Sequence, residues 1–105
     1  MRLTDLDPRF VDAGGPGIFK KNGDPVPERT GVGVSFDCPC GCGTRGYVDF
    51  TNPLDGGPQH NDGPSWRRDG SDFDAMTLSP SILRSRRKGG CGWHGWIRAG
   101  EIVEA

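Results

Sequence analysis

The sequence predicts a small, mostly β domain that is built from hairpins and carries long loops rich in glycine and proline. Hydrophobic residues make up only 32% of the 105 residues, so the chain can bury only a small core. Eighteen glycines and nine prolines favour turns and short strands over long helices. Two segments alternate between apolar and other residues, as half-buried strands do. The length corresponds to a single domain, residues 1–105.

The two alternating segments flank a turn that is rich in cysteine. In Thr30–Phe36, the side chains of Val32, Val34 and Phe36 share one face of the predicted strand. Gly46–Phe50 alternates in the same way and leaves the turn as a second strand. Together these segments predict a β-hairpin of the ribbon type, with the cysteines at its tip.

The four cysteines fall into two groups that are far apart in the chain. Three lie in Cys-Pro-Cys-Gly-Cys-Gly, starting at Cys38, and the fourth begins the segment Cys91-Gly92-Trp93-His94. Zinc takes four sulfur or imidazole ligands tetrahedrally, usually as two pairs from separate turns. The sequence therefore predicts one Zn²⁺ ion, held by four of five candidate ligands: Cys38, Cys40, Cys42, Cys91 and His94.

The spacing does not decide which four of these residues bind. Cys38 and Cys42 span the turn with room for chelation, which would leave Cys40 as a neighbouring thiol, but pairs that include Cys40 stay open. A Rieske iron–sulfur site would need a Cys-x-His in the first loop, and the sequence has none there. Four soft ligands without a nearby glutamate favour a closed, structural zinc over a catalytic one with an open position.

A metal staple also suits the small core. Ordering the backbone costs ~1–2 kcal/mol per residue, whereas a structural zinc contributes ~10–16 kcal/mol that becomes folding energy. We therefore expect residues 30–105 to form a metal-clasped body, preceded by an N-terminal arm and loop at residues 1–29.

The rest of the body reads as loops and a second hairpin. Residues 52–65 are polar and rich in glycine and proline, which predicts a loop. The apolar run Ala75–Leu78 predicts a short strand that should end at Pro80, because proline cannot donate to a central ladder. Residues 93–98 and 101–103 predict a terminal hairpin.

Charge and the N-terminal segment bear on the partners and the compartment. The net charge is −1, so the overall field does not point to nucleic acid or membrane as a partner. No apolar stretch approaches the ~18 residues of a transmembrane helix, and Met1–Pro8 lacks the apolar segment of a secretory signal. We expect a cytoplasmic protein with reduced thiols, in the host cytoplasm if the chain is phage-encoded.

Several blocks in the same order resemble a small bacterial and phage family of zinc-binding proteins. The blocks are Cys-x-Cys-Gly-Cys-Gly, Trp…Asp-Gly, Thr-Leu-x-Pro-Ser-Ile and Cys-x-x-His-x-x-Ile, and here they consist of Cys38, Cys40, Gly41, Cys42, Gly43, Trp66, Asp69, Gly70, Thr77, Leu78, Pro80, Ser81, Ile82, Cys91, His94 and Ile97. Some members lie beside genes of bacterial ubiquitin-like conjugation systems. The resemblance implies a zinc domain without an assigned activity. The chain departs from the family at the basic insert 84–90 and at Gly95-Trp96.

Two further features suggest chemistry. Ser79 or Ser81 could be a nucleophile, but the sequence offers no base if His94 binds metal, so we expect these hydroxyls to bond turn backbone. The basic loop 84–90 near Trp93 suggests nucleic-acid binding, although acidic residues close by in sequence oppose it.

We therefore favour a small non-enzymatic binding or adaptor module with a structural zinc and a protein partner. A zinc-dependent hydrolase or a ubiquitin-like-processing factor with an open metal position is the first alternative. A nucleic-acid binder that uses the basic loop is the second.

Overall fold

The computed structural model describes residues 1–88 and 90–105, and it places seven strands in two antiparallel sheets. The first sheet has the strand order β1-β2-β3 and the second β4-β5-β6-β7. Short 3-10 helices lie at Leu3–Leu6 and Arg86–Lys88. The strands are β1 Arg9–Ala13, β2 Arg29–Asp37, β3 Arg45–Asp49, β4 Arg67–Asp69, β5 Thr77–Leu83, β6 His94–Arg98 and β7 Glu101–Glu104. The mostly β class predicted from the sequence is confirmed.

The first sheet contains the predicted ribbon hairpin. Strands β2 and β3 pair antiparallel, with Val34 opposite Val48, and the cysteine turn joins them. Val32, Val34 and Phe36 are all buried, as their alternation predicts. On the other side of β2, the N-terminal strand β1 places Phe10 opposite Val34. Residues 9–13, which lie within the predicted N-terminal arm, are therefore part of the sheet.

The second sheet contains the predicted terminal hairpin, β6 and β7, with Trp96 opposite Val103. The chain start covers part of the outer edge of β7, where the Ile102 N–H donates to the Met1 carbonyl at 2.9 Å.

Neither short helix within the described ranges approaches the length and apolarity that a membrane crossing requires.

The expectation that a strand ends at Pro80 is wrong, because β5 continues through it to Leu83. Leu78 pairs with Ile97 and Ile82 with Gly95, so β5 has three residues, Ser79 to Ser81, where β6 has only Trp96. Such a bulge leaves residues out of the ladder. Pro80 lies within it, so its missing N–H does not interrupt the pairing.

The core takes side chains from both sheets and from the N-terminal helix. Leu3, Phe36, Phe50, Met76 and Ile97 are among its fully buried members.

The sheets also join directly through Trp66, the residue just before β4. The Trp66 N–H donates to the Asp49 carbonyl at 2.8 Å, and Trp66 forms a parallel bridge with Phe50.

The loop at residues 52–65 is tied to the first sheet by polar contacts. Asp55 accepts from the Arg29 Nε at 2.7 Å. The Leu54 N–H donates to the Gly31 carbonyl at 3.0 Å. Gly31 has φ +58°, and a Cβ there would lie 2.5 Å from the Leu54 Cδ1, so only glycine allows this close approach.

Candidate functional site

The four cysteines converge at one end of the molecule. Cys38, Cys40 and Cys42 come from the β2–β3 turn, and Cys91 comes from the segment before β6. All four Sγ atoms lie within 4.8 Å of one another. The sulfurs of Cys38 and Cys91 are 3.3 Å apart, and those of Cys40 and Cys91 are 3.0 Å apart. The two remote cysteine groups predicted to share a site therefore do meet.

The chemistry of this donor set fits a metal ion. The thiols are free, and their separations are far longer than a disulfide bond of ~2.05 Å. Four thiolates at ~2.3 Å from one tetrahedral ion would lie roughly 3.8 Å apart. The closest sulfurs need to separate by only several tenths of an ångström to reach that arrangement.

Hydrogen bonds among the thiols make their proton affinities unequal. The bond to Cys91 raises the pKa of Cys40 to about 12, and the bond from Thr44 lowers the pKa of Cys42 to about 6. Burial raises the pKa of Cys38, whereas the bond from Cys40 lowers that of Cys91. The thiols of Cys42 and Cys91 therefore lose their protons more readily than those of Cys38 and Cys40.

His94, the fifth predicted ligand, is not among the clustered groups. Its Nε2 lies 3.0 Å from the hydroxyl oxygen of Ser81. Ser81 was expected to bond turn backbone, yet it lies in β5 with its hydroxyl against this imidazole. His94, one of the five candidate metal ligands, is therefore within hydrogen-bond distance of a serine hydroxyl.

The sheet register brings this pair together. Leu83 is the partner of His94 across β5 and β6, so Ser81, two residues earlier, projects from the same face of the sheet. The bulge between Leu78 and Ile82 sets which residue reaches the imidazole. On the inner side of the sheet, the Trp66 indole N–H donates to the Ser81 carbonyl at 3.0 Å and fixes the backbone there.

A tilted aromatic ring lies beside the imidazole. The rings of His94 and Trp96 have centroids 5.8 Å apart and an interplanar angle of 34°. The Arg98 guanidinium carbon lies 4.7 Å from the centroid of Trp96, over its ring. Across the described ranges, the hydrogen bond of the His94 ring runs through Nε2 to Ser81. A hydroxyl beside an imidazole is the minimal unit of a serine nucleophile with its base.

A cavity of about 270 Å³ begins at Ile82, the residue after Ser81, although neither Ser81 nor His94 lines it. Trp66, Ile82 and Leu83 line it, and these residues contact or adjoin Ser81 and His94. Tyr47 and Asp49 line the opposite side, where the Tyr47 hydroxyl donates to the Asp49 carboxylate. The side-chain amide of Asn61 also donates to Asp49, at 3.0 Å. A concave site with room for part of a ligand thus adjoins the chain segment that carries Ser81.

Comparison with known proteins gives one family. Residues 19–105, well over half of the chain, match the family described as BubE, bacterial ubiquitination-like system serine protease. Neither the curated proteins nor the solved structures contain a match to this chain. The matched range includes the cysteine cluster, Ser81 and His94. The chain therefore belongs to the BubE family of bacterial ubiquitination-like systems.

Proposed function

We propose that the protein is a serine protease in which Ser81 is the nucleophile and His94 is the general base. The separation of 3.0 Å between the Ser81 Oγ and the His94 Nε2 carries the proposal, because it lies within hydrogen-bond reach. The family description, which names a serine protease, supports it independently. The adaptor role favoured from the sequence has no comparable geometric support.

The chemistry follows the usual course of acyl transfer. The Ser81 Oγ attacks the carbonyl carbon of a peptide bond while the His94 Nε2 takes the hydroxyl proton. The imidazolium then gives that proton to the leaving amine, the C–N bond breaks, and an acyl-serine ester forms. A water molecule attacks this ester with the same base, which releases the carboxyl product and restores the serine.

Residues around the pair keep it in place. The Trp96 ring beside His94 limits rotation of the imidazole, and the Trp66 indole holds the backbone at Ser81. Holding the nucleophile and the base in the geometry of attack removes much of the entropic cost of the reaction. The fixed pair therefore accounts for much of the rate.

We propose that one Zn²⁺ ion with a structural role is bound by Cys38, Cys40, Cys42 and Cys91. Four thiolates complete a tetrahedral shell, so when bound the ion supplies rigidity and leaves no open position for water. Cys91 precedes His94 by three residues. Holding Cys91 against the β2–β3 turn therefore fixes the start of β6, the strand that presents the base.

We propose a ubiquitin-like protein of a bacterial ubiquitination-like system as the substrate, since the family description names that system. Cleavage would occur at an extended segment of that protein, because the Ser81–His94 pair lies on an open sheet face with Ser81 half-buried and His94 exposed.

The test is cleavage of a ubiquitin-like protein from such a system that carries residues beyond its folded domain, followed by intact mass. We expect the wild type to release a fragment and Ser81→Ala and His94→Ala to release none. Ser79→Ala is the matched control, because Ser79 is an exposed serine of the same strand, and it should cleave normally. If Ser81→Ala cleaves as fast as the wild type, the proposal is wrong, and the zinc-stapled binding module becomes the better description.

A further inference from the structure

The cavity beside Ser81 contains a cation whose hydrogen-bonding capacity is largely unused. Arg84 lines this cavity, directly after β5. Within the described residues, its Nη2 reaches two oxygens, those of the Thr44 hydroxyl and the Arg45 carbonyl, both at 3.4 Å. Its Nη1 is buried and has no hydrogen-bond partner within the described ranges. N–H···O bonds are normally ~2.9–3.0 Å long, so this guanidinium is poorly satisfied.

The backbone holds Arg84 firmly in this position. The Arg84 N–H donates to the Trp93 carbonyl at 2.8 Å, and the Gly92 N–H donates to the Arg84 carbonyl at 2.7 Å. The guanidinium packs against Gly46, where a Cβ would lie 2.4 Å from the Arg84 Nη1. Any residue other than glycine at position 46 would displace the cation, so the close packing is specific to this pair.

The acidic group of the same cavity is already used. Asp49 is buried, and it accepts hydrogen bonds from the Tyr47 hydroxyl and from the Asn61 amide at 3.0 and 3.1 Å. Across the described ranges, Arg84 forms no salt bridge with Asp49 or another carboxylate. The cavity therefore presents a satisfied anion and an unsatisfied cation, which selects for a negatively charged ligand group.

We propose that this cavity binds a carboxylate of the peptide substrate and that Arg84 is the residue that determines this specificity. A guanidinium can give two parallel N–H bonds to one carboxylate, which adds direction as well as charge. The cavity has room for roughly nine water volumes of about 30 Å³ each, enough for a short side chain or a chain end. The inference deepens the proposed function, on which its place in the reaction rests.

The test measures binding to the full-length Ser81→Ala variant, so that no hydrolysis interferes. Three acetylated tripeptides are titrated: one ends in glycine with a free carboxylate, one ends in glutamate amide, and one ends in glutamine amide. The indole N–H resonance of Trp66 reports on the cavity, since the chain has three tryptophans and Trp66→Phe identifies the signal. We expect at least one carboxylate peptide to shift this resonance and to bind about tenfold more tightly than the glutamine amide.

Matched variants attribute the preference to one residue. Arg84→Gln should abolish the preference for the carboxylate peptide, and Arg84→Lys should keep part of it. Arg87 is an exposed arginine of the neighbouring 3-10 helix, so Arg87→Gln should keep the full preference. The peptide that binds distinguishes the two sources, an acidic side chain or the chain-terminal carboxylate.

Equal binding of the three peptides, or a preference that survives Arg84→Gln, would overturn the proposal. If Arg84→Gln fails to fold, the peptide comparison on the Ser81→Ala background still tests carboxylate binding, and Arg84→Lys tests the role of Arg84: a carboxylate preference left undiminished in that variant would overturn it. A clear carboxylate preference together with no cleavage by the wild type would refute the protease and leave the binding site standing.

Discussion

The sulfur of Cys38 lies 3.3 Å from the sulfur of Cys91, although 53 positions separate the two residues in the chain. This contact closes the β2–β3 turn onto the segment that leads into β6. His94 begins β6 and meets Ser81 on β5, so the thiol cluster and the reactive pair share one short stretch of chain. A change at the cluster should therefore reach the pair through the two intervening residues, Gly92 and Trp93.

Metal removal is the first test of this coupling. Cys91→Ser or treatment with a chelator should release Zn²⁺, lower the unfolding temperature and slow the reaction of Ser81, because the start of β6 loses its anchor. Zinc content by elemental analysis, thermal unfolding and cleavage rate measure the three effects. Adding zinc back should restore the chelated wild type but not Cys91→Ser.

His94→Ala separates the two sites. If His94 serves Ser81 rather than the metal, this variant keeps its zinc and most of its thermal stability while cleavage is lost. If His94→Ala lost its zinc, His94 would instead be a metal ligand, as the sequence suggested. The proposed mechanism would then have no general base.

Two neighbouring residues of β6 should differ in their roles, because one supports activity and the other supports stability. Trp96→Ala removes the ring beside His94, and we expect cleavage to slow by ~10-fold or more with little change in unfolding. Ile97→Ala removes a fully buried side chain on the other face of the strand, which should cost ~2–5 kcal/mol of unfolding free energy.

Steady-state kinetics and denaturant unfolding of these two variants provide the comparison. If Ile97→Ala, measured where it is fully folded, lost as much activity as Trp96→Ala, the ring of Trp96 beside His94 would have no special role.

Tyr47 should ionise unusually late. Burial and the hydrogen bond from its hydroxyl to Asp49 raise the pKa of Tyr47 well above the usual ~10. Because the residue is 44% exposed, we expect the Asp49 carboxylate to account for more of the shift than burial does. The folded state then holds its proton at a pH where the unfolded chain has lost it, so this contribution to stability is present below pH ~10 and declines as the pH rises further.

The chain has a single tyrosine, so tyrosinate absorbance reports Tyr47 alone. Alkaline titration of the native protein should give a midpoint above that of the protein in denaturant. Asp49→Asn removes the negative charge and should bring the native midpoint down. Equal midpoints in the native and the denatured protein would show that the contact is absent in solution.

Local periodicity was enough to predict most of the fold. Val32, Val34 and Phe36 alternate with a period of two, and the sheet buries all three as that pattern requires. The cysteine spacing likewise predicted that Cys91 returns to the turn at Cys38, because thiols in this arrangement favour a shared metal.

The reactive pair was harder to predict because it depends on register. Pro80 ordinarily ends a central strand, and only the pairing of Leu78 with Ile97 and of Ile82 with Gly95 shows that a bulge accommodates it. That bulge places the Ser81 hydroxyl beside an imidazole 13 positions away. The Cys-x-x-His spacing, which is typical of zinc ligands, also made His94 one of five candidates for the metal, so the sequence offered no reason to pair it with Ser81.

The central claim is that Ser81 is an activated nucleophile, and site-resolved labelling with a fluorophosphonate, read by intact mass and peptide mapping, tests it most directly. The account predicts a single adduct on Ser81, no adduct in Ser81→Ala, labelling slowed by ~10³-fold or more in His94→Ala, and normal labelling in Ser79→Ala. A native protein that gains no adduct, or that gains it on another serine, would contradict the account.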